Sequence, residues 1–259
     1  MEGKDLRAGS VAAVKGVKNP AKLARVVMEK GDQSRHGNSV RAYSRWELKS
    51  HRIIIAGSTV CSYPTDHIQL CGEGASLFSR SMGFDEVSDN ELRTSRATER
   101  LEKFLAEQNV SRGSDTIGAV AIDSSGCIAC CTSTGGILGA MKGRVGDTPQ
   151  IGSGGYSDNL VGGVSTTGDG ECIARVTLAR LILFHMEQGL TVEQSLKKSL
   201  HYMKEKTGCD IGGAIVISSS GVIGKGFISP EMSWASLKGN ELRWGFSHSD
   251  DYMETLLDM

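Results

Sequence analysis

Thr116 stands between Asp115 and an alternating apolar run in the stretch SDTIGAVAID, residues 114–123. Its plain reading is a β-branched strand residue, because Val120 and Ile122 alternate with small residues as a half-buried strand requires. Its chemical reading is a nucleophile that becomes an N-terminus when the bond before it is cut. Other hydroxyls cluster among glycines, in STGG at 133–136 and STTGDG at 165–170. Arg144 and Asp147 interrupt a stretch otherwise nearly free of charge. An arginine fork suits a carboxylate and an aspartate suits an ammonium, so the two together fit the zwitterionic end of an amino acid. A mutual surface ion pair explains them equally well. The glycines before the helix that follows residue 170 offer backbone N–H groups at its positive end, where an oxyanion could sit. A plain helix cap at Thr167 is the competing explanation.

Other chemistries find less support. GDGECI, residues 168–173, follows a dinucleotide loop for three positions, but Ile173 replaces the last glycine and no βαβ pattern surrounds it. Cys127, Cys130 and Cys131 resemble half a metal site without a second half, and no metal or other cofactor is expected. His185, inside LARLILFHMEQ, reads as a packed core residue.

The elements that must position these residues are legible in outline. Asn19 and Pro20 open a helix through NPAKLARVVMEK. Ser88 and Glu91 form a capping-box pattern ahead of a charged helix with Leu92, Leu101 and Leu105 as its stripe. TIGAVAID and GCIACCTST form a hairpin across Ser124, Ser125 and Gly126, and IGGAIVIS and VIGKGFIS form another at Ser220 and Gly221. Between them come a long apolar helix starting just after Gly170 and a second helix capped by Thr191 and Gln194, while ELRWGF offers a last strand. The order ββ, αα, ββ predicts antiparallel sheets with helices packed outside, an α+β protein. Residues 31 to about 64 keep no sustained period and read as an atypical insertion.

The chain of 259 residues is long enough for one large domain, and its formal net charge of -1 excludes a global basic field for nucleic acid or membrane surfaces. Seven cysteines without framework spacing suit a reducing compartment. With no secretory signal pattern and no membrane-length apolar run, the expectation is a cytoplasmic protein.

DTIGAVAID, TSTGG, GRVGDTP, GSGGYSDN and STTGDGE, in that order, resemble the β-subunit of the isoaspartyl peptidase/L-asparaginase family, the asparaginase-like branch of the N-terminal-nucleophile hydrolases. The resemblance extends upstream through GKDLRAGSVAAV, NPAKLARVVMEK and GASLFSRSMG. It implies a four-layer αββα sandwich, self-cleavage between Asp115 and Thr116, and an αβ heterodimer that pairs into a dimer. In the cleaved form the Thr116 hydroxyl attacks while its own α-amine, with a reference pKa of about 7.7–8.0, accepts the proton. Position by position, Thr116 is similar to the family's nucleophile and Thr134 to the threonine that orients it. Arg144 matches the grip on the substrate α-carboxylate, Asp147 the ligand of the α-amine, Thr167 and Gly168 the oxyanion hole, and Gly170 the pocket lining. The implied reaction is β-amide hydrolysis, of L-asparagine to aspartate and ammonia and of isoaspartyl dipeptides.

The family's early His-Gly-Gly strand and glycine-rich sodium-binding loop have no counterpart before GKDLRAGSVAAV. The expectation is a single domain, with 1–115 as a truncated α-subunit region and 116–259 as the β-subunit region. An inactive truncated form acting as an interaction partner is the alternative function. Glycosylasparaginase, whose branch DTIG also fits, is a more remote one.

Overall fold

The computed structural model describes residues 1–32, 67–106 and 114–256. The expected insertion lies, from residue 33 onward, outside the described residues. No helix among them is long and apolar enough to cross a membrane.

Strand β1 (Ser10–Ala12) is followed by helix α1 (Pro20–Asp32), β2 (Gln69–Cys71), α2 (Gly72–Ser81), α3 (Asp89–Leu92) and α4 (Ser95–Ala106). Asn19 Oδ1 accepts from Lys22 N at 2.9 Å, so the expected N-cap forms. β1 and β2 pair in parallel. The charged helix expected from Ser88 onward is instead split into α3 and α4. Ser88 makes no side-chain cap to the backbone, and Leu92, Leu101 and Leu105 remain exposed. The capping-box pattern fails because, among the described residues, no core lies beneath the stripe to hold the helix together. α4 is fastened instead through Phe104, whose ring lies where a Cβ on Gly139 would sit.

β3 (Ser114–Ile122) and β4 (Ile128–Ile137) form the expected hairpin. β5 (Gly155–Asp158), β6 (Gly162–Gly168), β7 (Gly212–Ser218) and β8 (Ile223–Phe227) form an antiparallel sheet in that order. The sequence pattern left β5 and β6 in an unassigned glycine-rich stretch. Their small residues serve a purpose: the hairpin stacks directly on β6, with Val120 and Ile128 over Gly163 and Gly118 over Ser165. A Cβ on Gly163 would lie 2.6 Å from Val120 Cγ1, so only glycine permits that approach.

The opposite face of the sheet is covered by α5 (Gly170–Val176), α6 (Leu178–Glu187) and α7 (Val192–Thr207). Val164, Ala214 and Val216 meet Ile173, Ile182, Leu183, Leu196, Leu200 and Met203 in one buried cluster. The single long helix expected after Gly170 is interrupted at Thr177, which adopts the left-handed conformation at φ 47°. The break lets the first N–H groups of α6 bond the 152–153 loop: Arg180 N donates to Gly152 O and Ala179 N to Ser153 O. Thr191 and Gln194 form their capping box on α7 in full. His185 is buried, as expected, with Nδ1 2.9 Å from Ser199 Oγ.

β9 (Trp234–Lys238), β10 (Glu241–Gly245) and β11 (Tyr252–Thr255) form a further antiparallel sheet, of which only the middle strand was legible in sequence. It is tied to β8 where Lys225 Nζ lies 3.6 Å from the Trp234 ring centroid and pairs with Asp251. α1 lies against β4. Leu183→Ala empties a fully buried position in the helix layer. It is expected to lower unfolding free energy by about 2–5 kcal/mol, read as a lower urea midpoint at unchanged m-value.

Candidate active site

β3 brings Thr116 opposite Thr134 of β4, and the ladder is irregular one residue earlier. Ser114 pairs with Ile137, so the single residue Asp115 stands opposite two, Gly135 and Gly136. Gly136 takes φ 83°, a conformation that leaves glycine almost alone as a candidate for this bulge. The Asp115 carbonyl thereby leaves the regular ladder and accepts a hydrogen bond from Thr134 Oγ1 at 2.9 Å. Gly136 N donates to the same hydroxyl oxygen at 3.0 Å, fixing the direction of its proton. The carboxylate of Asp115 is almost fully exposed and pairs with Arg100 of α4 at 3.6 Å. Asp115, Thr116, Ile117, Ser133, Thr134 and Gly135 line one open hollow.

A second group converges beside it. Arg144 makes a bidentate pair with Glu171, Nε to Oε1 at 2.7 Å and Nη2 to Oε2 at 2.8 Å. That pair, with smaller contributions from Asp147 and Asp169, strengthens the guanidinium's hold on its proton. The mutual Arg144–Asp147 ion pair entertained from sequence does not form; Glu171, the last residue of STTGDGE, takes the arginine. Asp147 is buried, and that burial raises its pKa above the ordinary aspartate value, against the lowering effect of backbone N–H groups and of Arg144. Gly170 closes the group: a Cβ there would lie 2.6 Å from Asp147 Oδ1 and 3.1 Å from Arg144 Nη2. Gly136 connects the two groups, its missing Cβ 3.9 Å from Arg144 Nη1.

Thr167 and Gly168 end β6, opposite Gly213 and Gly212 of β7. Stacking of Val120 over Gly163 and Gly118 over Ser165 advances two residues at a time, and the next step carries Thr116 toward Thr167. Gly168 has φ 135°, and a Cβ would lie 2.6 Å from Gly212 Cα. The cap of α5 is Asp169, whose Oδ1 accepts from Cys172 N at 2.9 Å, so Thr167 is not held by a capping role. The hairpin is pinned above this strand by Thr132, whose hydroxyl lies 2.7 Å from Ser165 Oγ and donates to Gly154 O at 2.9 Å. Sequence reasoning missed Glu171, Thr132, Ser165 and Arg100. Glu171, Thr132 and Ser165 each carried a signal, their place in the quoted motifs STTGDGE and TSTGG, whereas Arg100 carried none.

Of the three hairpin cysteines, Cys130 is buried, Cys127 half-buried and Cys131 exposed. The first fills space beside the sheet, while the last does not. Among the described residues no disulfide forms.

The arrangement can polarise one peptide carbonyl beside one hydroxyl and hold a carboxylate and an ammonium nearby. Thr134→Val removes the donor to the Asp115 carbonyl while conserving shape. If the bond before Thr116 is cut by the chain itself, its cleavage is expected to slow about 100-fold, measured as fragment appearance on gels over time.

The match to the family model described as Asparaginase runs over residues 55–245. An isoaspartyl peptidase/L-asparaginase of Xenopus laevis is 43% identical over 99% of this chain and 73% of its own length. Proteins of the same name from Danio rerio and Homo sapiens are each 42% identical, over 98% and 96% of this chain and 72% and 71% of theirs. A match of this extent places the chain in the asparaginase family.

Proposed function

We propose that the chain is a threonine-type N-terminal-nucleophile hydrolase of β-amide bonds, acting on L-asparagine and isoaspartyl dipeptides after self-cleavage between Asp115 and Thr116. The observation that carries the reading is the bulged Asp115 carbonyl, polarised by Thr134 Oγ1 and followed directly by the Thr116 hydroxyl. The names of the relatives agree with it.

In self-cleavage the Thr116 oxygen attacks the Asp115 carbonyl carbon, the peptide nitrogen leaves as the Thr116 amine, and water hydrolyses the ester. The freed amine then serves as general base for the hydroxyl during turnover. Arg144 receives the substrate α-carboxylate. Glu171 occupies Nε and Nη2, which leaves Nη1, on the Gly136 side, as the first donor available. Asp147 holds the α-ammonium, and Thr167 and Gly168 form the oxyanion hole that meets the developing charge. Attack expels ammonia or an amino acid, and hydrolysis of the acyl-threonine releases aspartate.

The same reading makes the chain one domain whose segments 1–115 and 116–259 remain together as an αβ unit after cleavage, with these units pairing into a dimer. It adds a second helix layer outside the β3/β4 hairpin to complete four layers. It also places the protein in the reducing cytoplasm, in keeping with the free described cysteines.

A second reading is favoured by one feature. Among the described residues β3 pairs only with β4, and Ile117 beside Thr116 is 75% exposed. An open apolar strand edge suits pairing with another chain, which makes an intact, noncatalytic partner of a longer relative the competing function.

Incubation of the purified chain at neutral pH is expected to give two fragments meeting between Asp115 and Thr116 by intact mass. Thr116→Ala is expected to remain one species without turnover of asparagine or isoaspartyl dipeptide. A wild-type chain that stays whole and copurifies with a longer relative would favour the second reading. Cleavage of an asparagine-linked glycan in preference to isoaspartyl dipeptide would instead identify a glycosylasparaginase.

The pH dependence follows from Asp147. Its raised pKa means the folded state holds this proton more tightly than the unfolded chain, so its contribution favours folding at low pH and is lost as pH rises through the folded pKa. The ionised form binds the ammonium. KM is therefore expected to rise on acidification at a pH above an ordinary aspartate's pKa. In Asp147→Asn that inflection disappears, and KM is raised throughout.

A further inference from the structure

Asp169, Cys172 and Cys209 lie outside the proposed hydrolytic machinery, yet their ligand atoms all fall within 4.8 Å of one another. They come from two elements. Asp169 and Cys172 flank the start of α5, while Cys209 sits in the link between α7 and β7. The link is already laced to the β6–α5 corner, since Asp169 N donates to Ile211 O at 3.1 Å and Gly168 packs against Gly212. Cys172 and Cys209 are both half-buried, neither sealed from solvent nor fully open.

We propose that Asp169, Cys172 and Cys209 form a binding site for a soft divalent cation of the zinc class. Two thiolates and one carboxylate are a zinc donor set, and two sulfurs bound at about 2.3 Å to a tetrahedral ion stand about 3.8 Å apart. Small side-chain rotations close the present spread to that distance. Asp169 Oδ1 is engaged in capping Cys172 N, while its second oxygen supplies the third ligand without loss of the cap. Water takes the fourth position. Binding displaces the two thiol protons to solvent and joins the α7–β7 link to the turn that follows Thr167 and Gly168.

The test uses the reduced 259-residue chain, with zinc titrated against a chromophoric chelator and cobalt as spectroscopic probe. One ion per chain and a thiolate-to-cobalt charge-transfer band are expected. Cys172→Ser and Cys209→Ser are each expected to lose the band and weaken zinc binding at least about 100-fold. Cys131→Ser, which removes an exposed thiol elsewhere, should leave both intact. Asp169→Asn keeps a competent helix cap while removing the anionic ligand, so it should weaken binding with an unchanged thermal midpoint. Absence of stoichiometric binding would overturn the proposal, as would serine variants that bind zinc as tightly as the unsubstituted chain. So would a Cys172–Cys209 disulfide whose reduction restores no metal uptake.

Discussion

The close approach of the β3/β4 hairpin to β6 is the constraint on which the rest of the site depends. Two sheets normally stack about 10 Å apart, with interdigitating side chains between them. Here glycine and serine on β6 meet Val120, Ile128 and Gly118 on the hairpin, and the hydroxyls of Thr132 and Ser165 hydrogen-bond across the gap. The contact fixes how far β3 can slide over β6. Because strand side chains alternate with period two, a one-residue slip would turn Thr116 away from the face that Thr167 shares. A separate apolar cluster on the far face of the sheet holds β6 and β7 flat against α6 and α7. The helices thus set the platform, and the small residues decide how near the hairpin comes to it.

On that platform the bulge at Asp115 converts a regular strand into a reactive position. Elsewhere in the ladder, backbone carbonyls bond backbone N–H groups. At Asp115 the partner is a side-chain hydroxyl, itself oriented by Gly136 N. Gly136 also stands beside Arg144, so one glycine couples the geometry of the peptide before Thr116 to that of the charged group. The charged group is economical in the same way. Glu171 from the first turn of α5 neutralises Arg144, while the absence of a side chain at Gly170 lets Asp147 and Arg144 both approach the helix start without pairing with each other. A buried aspartate with a raised pKa beside a committed arginine gives an asymmetric pair of sites, one fixed in charge and one sensitive to its surroundings.

Local sequence determined those parts whose energetics are themselves local. Asn19 before Pro20, Thr191 with Gln194, and the Gly126 and Gly221 turns specify caps and hairpins through contacts within a few residues, and each formed as read. The pairing of Arg144 with Asp147 was legible only as one of two equal readings, a zwitterion clamp or a mutual ion pair, and Gly170 joined them only through the family motifs. Tertiary structure decided the rest. β5 and β6 carry no strand pattern because their inward positions are small to admit the hairpin. Ser88 and Glu91 looked like a cap, but without a buried face beneath Leu92, Leu101 and Leu105 the helix divided. Thr177 broke an apolar run that sequence reads as continuous, because the first N–H groups of α6 found partners in a loop far back in the chain. The choice of Glu171 over Asp147 as partner of Arg144, and the meeting of Cys172 with Cys209, depend on which distant segments arrive together, a matter that residue spacing along the chain does not encode.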